Sequence, residues 1–152
     1  MPFNYSLYSI PVYWVLALYP HAYAVSLIRN SNNKQWDNTN PRSTDTNEQY
    51  KKSVPADTYA RFERAEAAHK NGLENAPFFI GAVLAGNYAG LRSTTLNAVT
   101  GTYVCLRVLY NVLYINTTTQ KASRLRSVTW VSSFVLLFGT YIAAGKSLAA
   151  RV

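Results

Sequence analysis

The sequence predicts an all-α fold, a four-helix bundle integral to a membrane, forming a single domain over residues 1–152. Three observations lead there. Apolar stretches long enough to cross a bilayer recur along the chain, while the polar residues that hold the mean hydropathy at −0.08 gather in residues 31–56. Many of the 12 Tyr and 3 Trp lie near the ends of apolar runs, where amphipathic rings favour the membrane interface. Between Glu63 and Phe79 a dense polar and charged set leads straight into apolar residues 78–91, so charge collects at one end of a helix and not along one face. An ionisable group at membrane depth is costly and is kept mainly where it does something.

The first span runs from about residue 6 to 29, apolar and aromatic, with Pro11 and Pro20 read as kinks that neighbouring groups re-satisfy. Residues 30–56, rich in Asn, Thr and Ser, read as a polar, mobile loop. The second span, about 57–91, starts at Asp57, an N-cap after Pro55. At about 1.5 Å per residue it is longer than a hydrocarbon core requires, so its first half projects from the lipid or lies within the bundle, and Pro77 marks the junction. The third span covers about 95–115 and the fourth about 127–148. Small residues such as Gly81, Gly86, Gly101, Gly139 and Ala143 dot the spans, as close helix packing in membranes prefers.

Charge sets the expected orientation. Arg29, Lys34, Arg42, Lys51 and Lys52 flank or fill the first loop, and Lys121, Arg124 and Arg126 fill the last. The other side carries only Arg92, Lys146 and Arg151. By the positive-inside rule both basic loops face the cytosol and both termini face away. A net charge of +8 otherwise suggests nucleic acid, but the Lys and Arg residues sit in loops beside apolar segments and form no basic stripe, so membrane lipid or an anionic substrate is the expected partner and nucleic acid is not. The N-terminus lacks a basic n-region, and no cleavable signal is expected. The single Cys105 lies in an apolar run and reads as an inert small hydrophobe. With one Cys, and His21 and His69 in different spans, no metal site is expected. Neither a Gly-rich phosphate loop nor a Ser-His-Asp order is present, and no inverted repeat suggests a transporter.

Three constellations carry chemistry. In the second span Arg64, Ala67, Asn71, Glu74 and Phe78 share a face, Lys70 lies at its edge and His69 points to a different neighbour. A Lys, an Asn and a Glu on one face suit a zwitterion, and equally suit interhelical salt bridges. In the third span Tyr103, Arg107, Tyr110, Asn111 and Tyr114 form a polar stripe too strong for lipid exposure. Arg107 is expected to face the bundle and pair with Glu63, Glu66 or Glu74, a structural role. Before the fourth span, Arg126 and Ser127 are expected near a helix N-terminus, where cation, hydroxyl and helix end all favour an anion.

These segments together resemble the MAPEG family, the membrane-associated proteins in eicosanoid and glutathione metabolism, in its microsomal glutathione transferase-like form. Glu63-Arg64 followed by residues 68–78 is similar to the family's second-helix signature. Arg107-x-x-Tyr110-x-x-x-Tyr114 is similar to its third-helix pattern, and residues 125–129 to the start of its fourth helix. The resemblance implies a left-handed four-helix bundle assembled as a homotrimer in the endoplasmic reticulum or another internal membrane. It implies glutathione bound between subunits by Asn71, Glu74, Tyr110, Tyr114, Arg126 and Ser127, with Lys70 where some members use Arg. Arg126 and Ser127 would be the catalytic pair, Arg126 favouring the thiolate, with a lipophilic small molecule as the electrophile. Many members carry Arg where this chain has Ala67, so one cation of the cluster is missing. A non-catalytic scaffold or regulator with the same bundle is the alternative.

Overall fold

The computed structural model describes residues 3–151. A 3-10 turn, Ser6–Tyr8, leads into α1 (Ser9–Ser31), followed by α2 (Thr44–Ser53), α3 (Ala56–Tyr88), α4 (Ser93–Asn116) and α5 (Gln120–Ala149). No strand occurs among the described residues. α1, α3, α4 and α5 form an antiparallel bundle in which α3 packs against each of the others, while α1 and α5 meet mainly through the α3–α4 pair. Both termini lie at one end, where the Asn97 amide donates to Phe3 O and Ser147 Oγ donates to Ala89 O. The α1–α3 and α4–α5 connections lie at the other, called here the loop end.

By length and composition, residues Ser6–Ser31, Ser93–Asn116 and Gln120–Ala149 can each cross a membrane. α3 does not meet that criterion, although a second span was expected there. Its first two-thirds carry Asp57, Arg61, Glu63, Arg64, Glu66, Lys70 and Glu74, and only residues 76–86 run without a polar side chain. That segment is about 17 Å long at 1.5 Å per residue, short of a hydrocarbon core, and one face of it, with Ala76, Phe79, Ala82 and Val83, is buried in the bundle.

α1 keeps Pro11 in its first turn, where the missing N–H has no acceptor in any case, so only Pro20 interrupts the ladder. The α1–α3 seam is close. A Cβ on Gly72 would stand 3.0 Å from the Ala17 Cβ, and the Tyr13 hydroxyl donates to the Gly72 carbonyl at 2.7 Å. Tyr13, Phe79 and Tyr103 join α1, α3 and α4 through an aromatic cluster, the last two stacked at 4.4 Å. Buried hydroxyls bond carbonyls of their own helix, as Thr100 does to Leu96 and Thr140 to Leu136, which meets the demand of an apolar surround.

The polar connection is more ordered than its composition suggests. It contains α2, whose N-cap Ser43 accepts from the Thr46 N–H at 3.0 Å. Trp36 stacks on Tyr50 at 5.2 Å, Tyr50 packs edge-on against Phe62 of α3, and the Tyr50 hydroxyl accepts from the Asp37 N–H. Two aromatic residues thus fold the loop back onto the polar half of α3.

Candidate functional site

The expected polar stripe on α4 divides between neighbours. Tyr103 belongs to the aromatic core, and the Asn111 amide donates to the Leu16 carbonyl of α1 at 3.1 Å. Tyr110 and Tyr114 turn toward α5, their rings edge to face at 5.5 Å.

Arg107 is 2% exposed. Its guanidinium lies 4.4 Å above the Tyr110 ring, and Nη2 donates to Asn71 Oδ1 at 2.7 Å. Nη1 is buried without a partner among the described residues. The expected pairing with Glu63, Glu66 or Glu74 is not made. Glu63 and Glu66 lie about 12 and 7 Å along the helix axis from Asn71, too far toward the loop end, and Glu74 is exposed. Glu66 pairs instead with His21 of α1, at 2.6 Å. Arg64 Nε donates to the Ile115 carbonyl at 2.9 Å, tying the last turn of α4 to α3. His69, as its helical position implied, faces α1 and bonds the Ala17 carbonyl at 2.8 Å.

Arg126 and Ser127 do not stand at a helix start. α5 begins at Gln120, capped by Thr119, whose hydroxyl accepts from the Ala122 N–H at 3.3 Å. Residues 120–126 are mostly good helix formers, so the helix extends back through the expected loop. The helix-end contribution expected for an anion is therefore absent, because it fades within the first turn. What remains is the side chains. The Arg126 guanidinium sits half-buried on the face of Tyr114, 4.3 Å from the ring centroid, and no carboxylate pairs with it among the described residues.

Between α3, α4 and α5 a cleft of about 340 Å³ is lined by Asn71, Tyr110, Tyr114, Arg126, Ser127 and Trp130, with Val131 beside them. It brings together residues from three helices that are remote in sequence. Lys70 and Glu74 are exposed and do not line it. Trp130 was missed. The signal was its spacing, since residues 126, 127, 130 and 131 share one helical face.

A cation on an aromatic face beside two phenols and an amide suits an anionic, hydrogen-bonding ligand. The MAPEG family model matches residues 9–146, most of the chain. The chain belongs to the MAPEG family. It is an integral membrane protein of the glutathione and eicosanoid metabolism group. Comparison with curated proteins and with solved structures yields no match. Within this MAPEG chain, Ala67 leaves no cation on the α3 turn between Arg64 and Lys70, and the adjacent Glu66 is taken up by His21.

Proposed function

We propose that this MAPEG protein is a glutathione-dependent transferase or peroxidase acting on lipophilic electrophiles, working as a homotrimer in the endoplasmic reticulum or another internal membrane. The observation that carries the reading is Arg126, a cation without a carboxylate partner among the described residues, seated on Tyr114 in the cleft between α3, α4 and α5. The residues present fit glutathione: a cation for the sulfur, phenols and an amide for the tripeptide, and Glu74 and Lys70 on the adjoining exposed face for its charged ends. A neighbouring subunit over that face would complete the enclosure.

Arg126 stabilises the thiolate over the thiol and so enlarges the nucleophilic fraction at neutral pH. The thiolate attacks an electrophilic carbon of a molecule arriving through the lipid, a C–S bond forms, and the leaving group departs with its electron pair. Positioning and one charge carry most of that chemistry. Ser127, whose hydroxyl donates only a long 3.3 Å bond to the Ser123 carbonyl, can turn toward the sulfur. The second reading, a non-catalytic scaffold, is favoured by Ala67 alone.

Calorimetry of the detergent-solubilised protein with glutathione tests binding, and the absorbance of bound thiolate tests activation. Arg126→Leu is expected to keep most of the binding, lose the thiolate signal and lower conjugation of an aromatic electrophile by about 10²–10³-fold. Lysine at the same position restores part of it, since a point charge lacks the planar fork. No thiolate signal in the wild type at saturating glutathione leaves the scaffold reading standing.

A further inference from the structure

A second cleft, about 450 Å³, opens at the loop end and shares no lining residue with the first. One wall is Arg42 with Thr44 and Asn47 of the α2 start that follows it, and α3 contributes Glu63 and Glu66. Tyr59 and Phe62 lie between them, and His21 and Trp36 close one end. Arg42 is held in place by His69. The Nδ1 of that imidazole lies 2.8 Å from the Ala17 carbonyl, which can only accept, so it carries the proton and Nε2 accepts from the Arg42 guanidinium at 3.3 Å. Glu66 is held by His21, whose ring lies 5.1 Å from that of His69.

Arg42 and Glu63 therefore line one cleft with opposite charges, and neither makes an ion pair among the described residues. They do not neutralise each other across the cleft. The first turn of α2 carries Asp45 and is capped by Ser43, so its helix-end charge is offset and Arg42, beside Thr44 and Asn47, is the cation of that wall. A cleft with two separated poles matches a ligand that carries both charges. Depth fits a head group: His21 lies 15 residues past Ser6, about 22 Å along a core roughly 30 Å thick, and the cleft opens beyond it.

We propose that this cleft binds a small zwitterion, an ammonium group a few bonds from a phosphate, with the ammonium on Glu63 and the phosphate on Arg42, beside the hydroxyl of Thr44 and the amide of Asn47. The source is either a free molecule or the head group of a phosphatidylethanolamine lipid. The site is independent of the glutathione reading. Folding back of the loop through Trp36 and Tyr50 builds it, which gives the polar connection a function of its own.

The full-length protein in nanodiscs of phosphatidylglycerol is titrated with phosphoethanolamine by calorimetry. Saturable binding is expected, weakened at least tenfold by Glu63→Gln and by Arg42→Gln, both at exposed side chains, with an unchanged helical circular-dichroism spectrum as the check on folding. Glu63→Gln is expected to leave glutathione binding unchanged, and Arg126→Leu to leave phosphoethanolamine binding unchanged, so each reading fails separately. Adding phosphatidylethanolamine to the discs distinguishes the sources: competition against the soluble probe identifies the lipid head group, and unchanged affinity identifies a free ligand. Absence of saturable binding in phosphatidylglycerol discs, or binding indifferent to both substitutions, overturns the proposal.

Discussion

Asn71 supplies the one acceptor that the buried Arg107 guanidinium has within the described chain, and Nη1 of the same group has none. Asn71→Ala would leave a charged donor buried with no partner at either end. The expected cost is about 1.5–3 kcal/mol, the range for a hydrogen bond to a charged group, read as a lowered denaturation midpoint in mild detergent. Asn71→Asp keeps the acceptor and is expected to hold the wild-type midpoint. An unchanged midpoint for alanine would mean that another group takes over the guanidinium. The helical period alone puts Asn71 on a polar face of α3 and Arg107 on a polar stripe of α4. It did not choose Asn71 over three nearby glutamates, because that choice depends on how far one helix is slid along the other, and a single-helix period carries no axial register. Arg126 and Ser127 lie inside α5 for a different reason: Thr119 is a good N-cap a full two turns earlier, and Lys121, Arg124 and Arg126, which read equally as loop charge, are also good helix formers.

At the scale of elements, α2 was the least legible. It is polar throughout, and without an apolar stripe there was no period to read. Its cues were local: Ser43 as N-cap, and Tyr50 and Trp36 as the only large rings in a hydrophilic stretch. Two titrations should bound its stability. The Thr39 side chain and N–H hold the Asp37 carboxyl below its ordinary 3.8, so the charged form belongs to the folded loop. That contribution is present above 3.8 and is lost as the pH falls through the lower folded value. Burial pushes the Tyr50 phenol above 10.0, so its contribution is present below 10.0 and is lost as the pH rises through the higher folded value. Amide exchange across α2 is therefore expected to stay protected between these limits and to accelerate outside them. Thr39→Val should bring the acid limit upward, toward 3.8. A protection profile flat through both limits would show that neither group anchors the loop.

At the scale of the whole molecule, the all-helical architecture and the family were both readable from three short segments and the spacing of apolar runs. Orientation follows from charge: the loop end holds Lys34, Arg42, Lys51, Lys52, Lys121 and Arg124, and the termini end far fewer. In a Cys105→Ala background, which removes the exposed native thiol, single cysteines at Asn38 and Ser123 are expected to label from the cytosol in intact membranes. Labelling of either site only after the membrane is breached reverses the orientation.

The composition of α3 has a consequence for how the chain is made. A helix whose continuous apolar part covers only residues 76–86 offers a translocon too little to partition into lipid alone, since each Asp, Lys or Arg near a span's centre costs on the order of 2.5–3.5 kcal/mol. α1 already displays what α3 lacks: the Ala17 carbonyl for His69, the His21 ring for Glu66, and a flat surface for Gly72. Biogenesis should therefore be pairwise, with α1 retained at the membrane until α3 emerges and the two released together. In a glycosylation-reporter assay α3 alone is expected to remain uninserted and to insert when α1 precedes it. Efficient insertion of isolated α3 would instead make the pairing a matter of packing after synthesis.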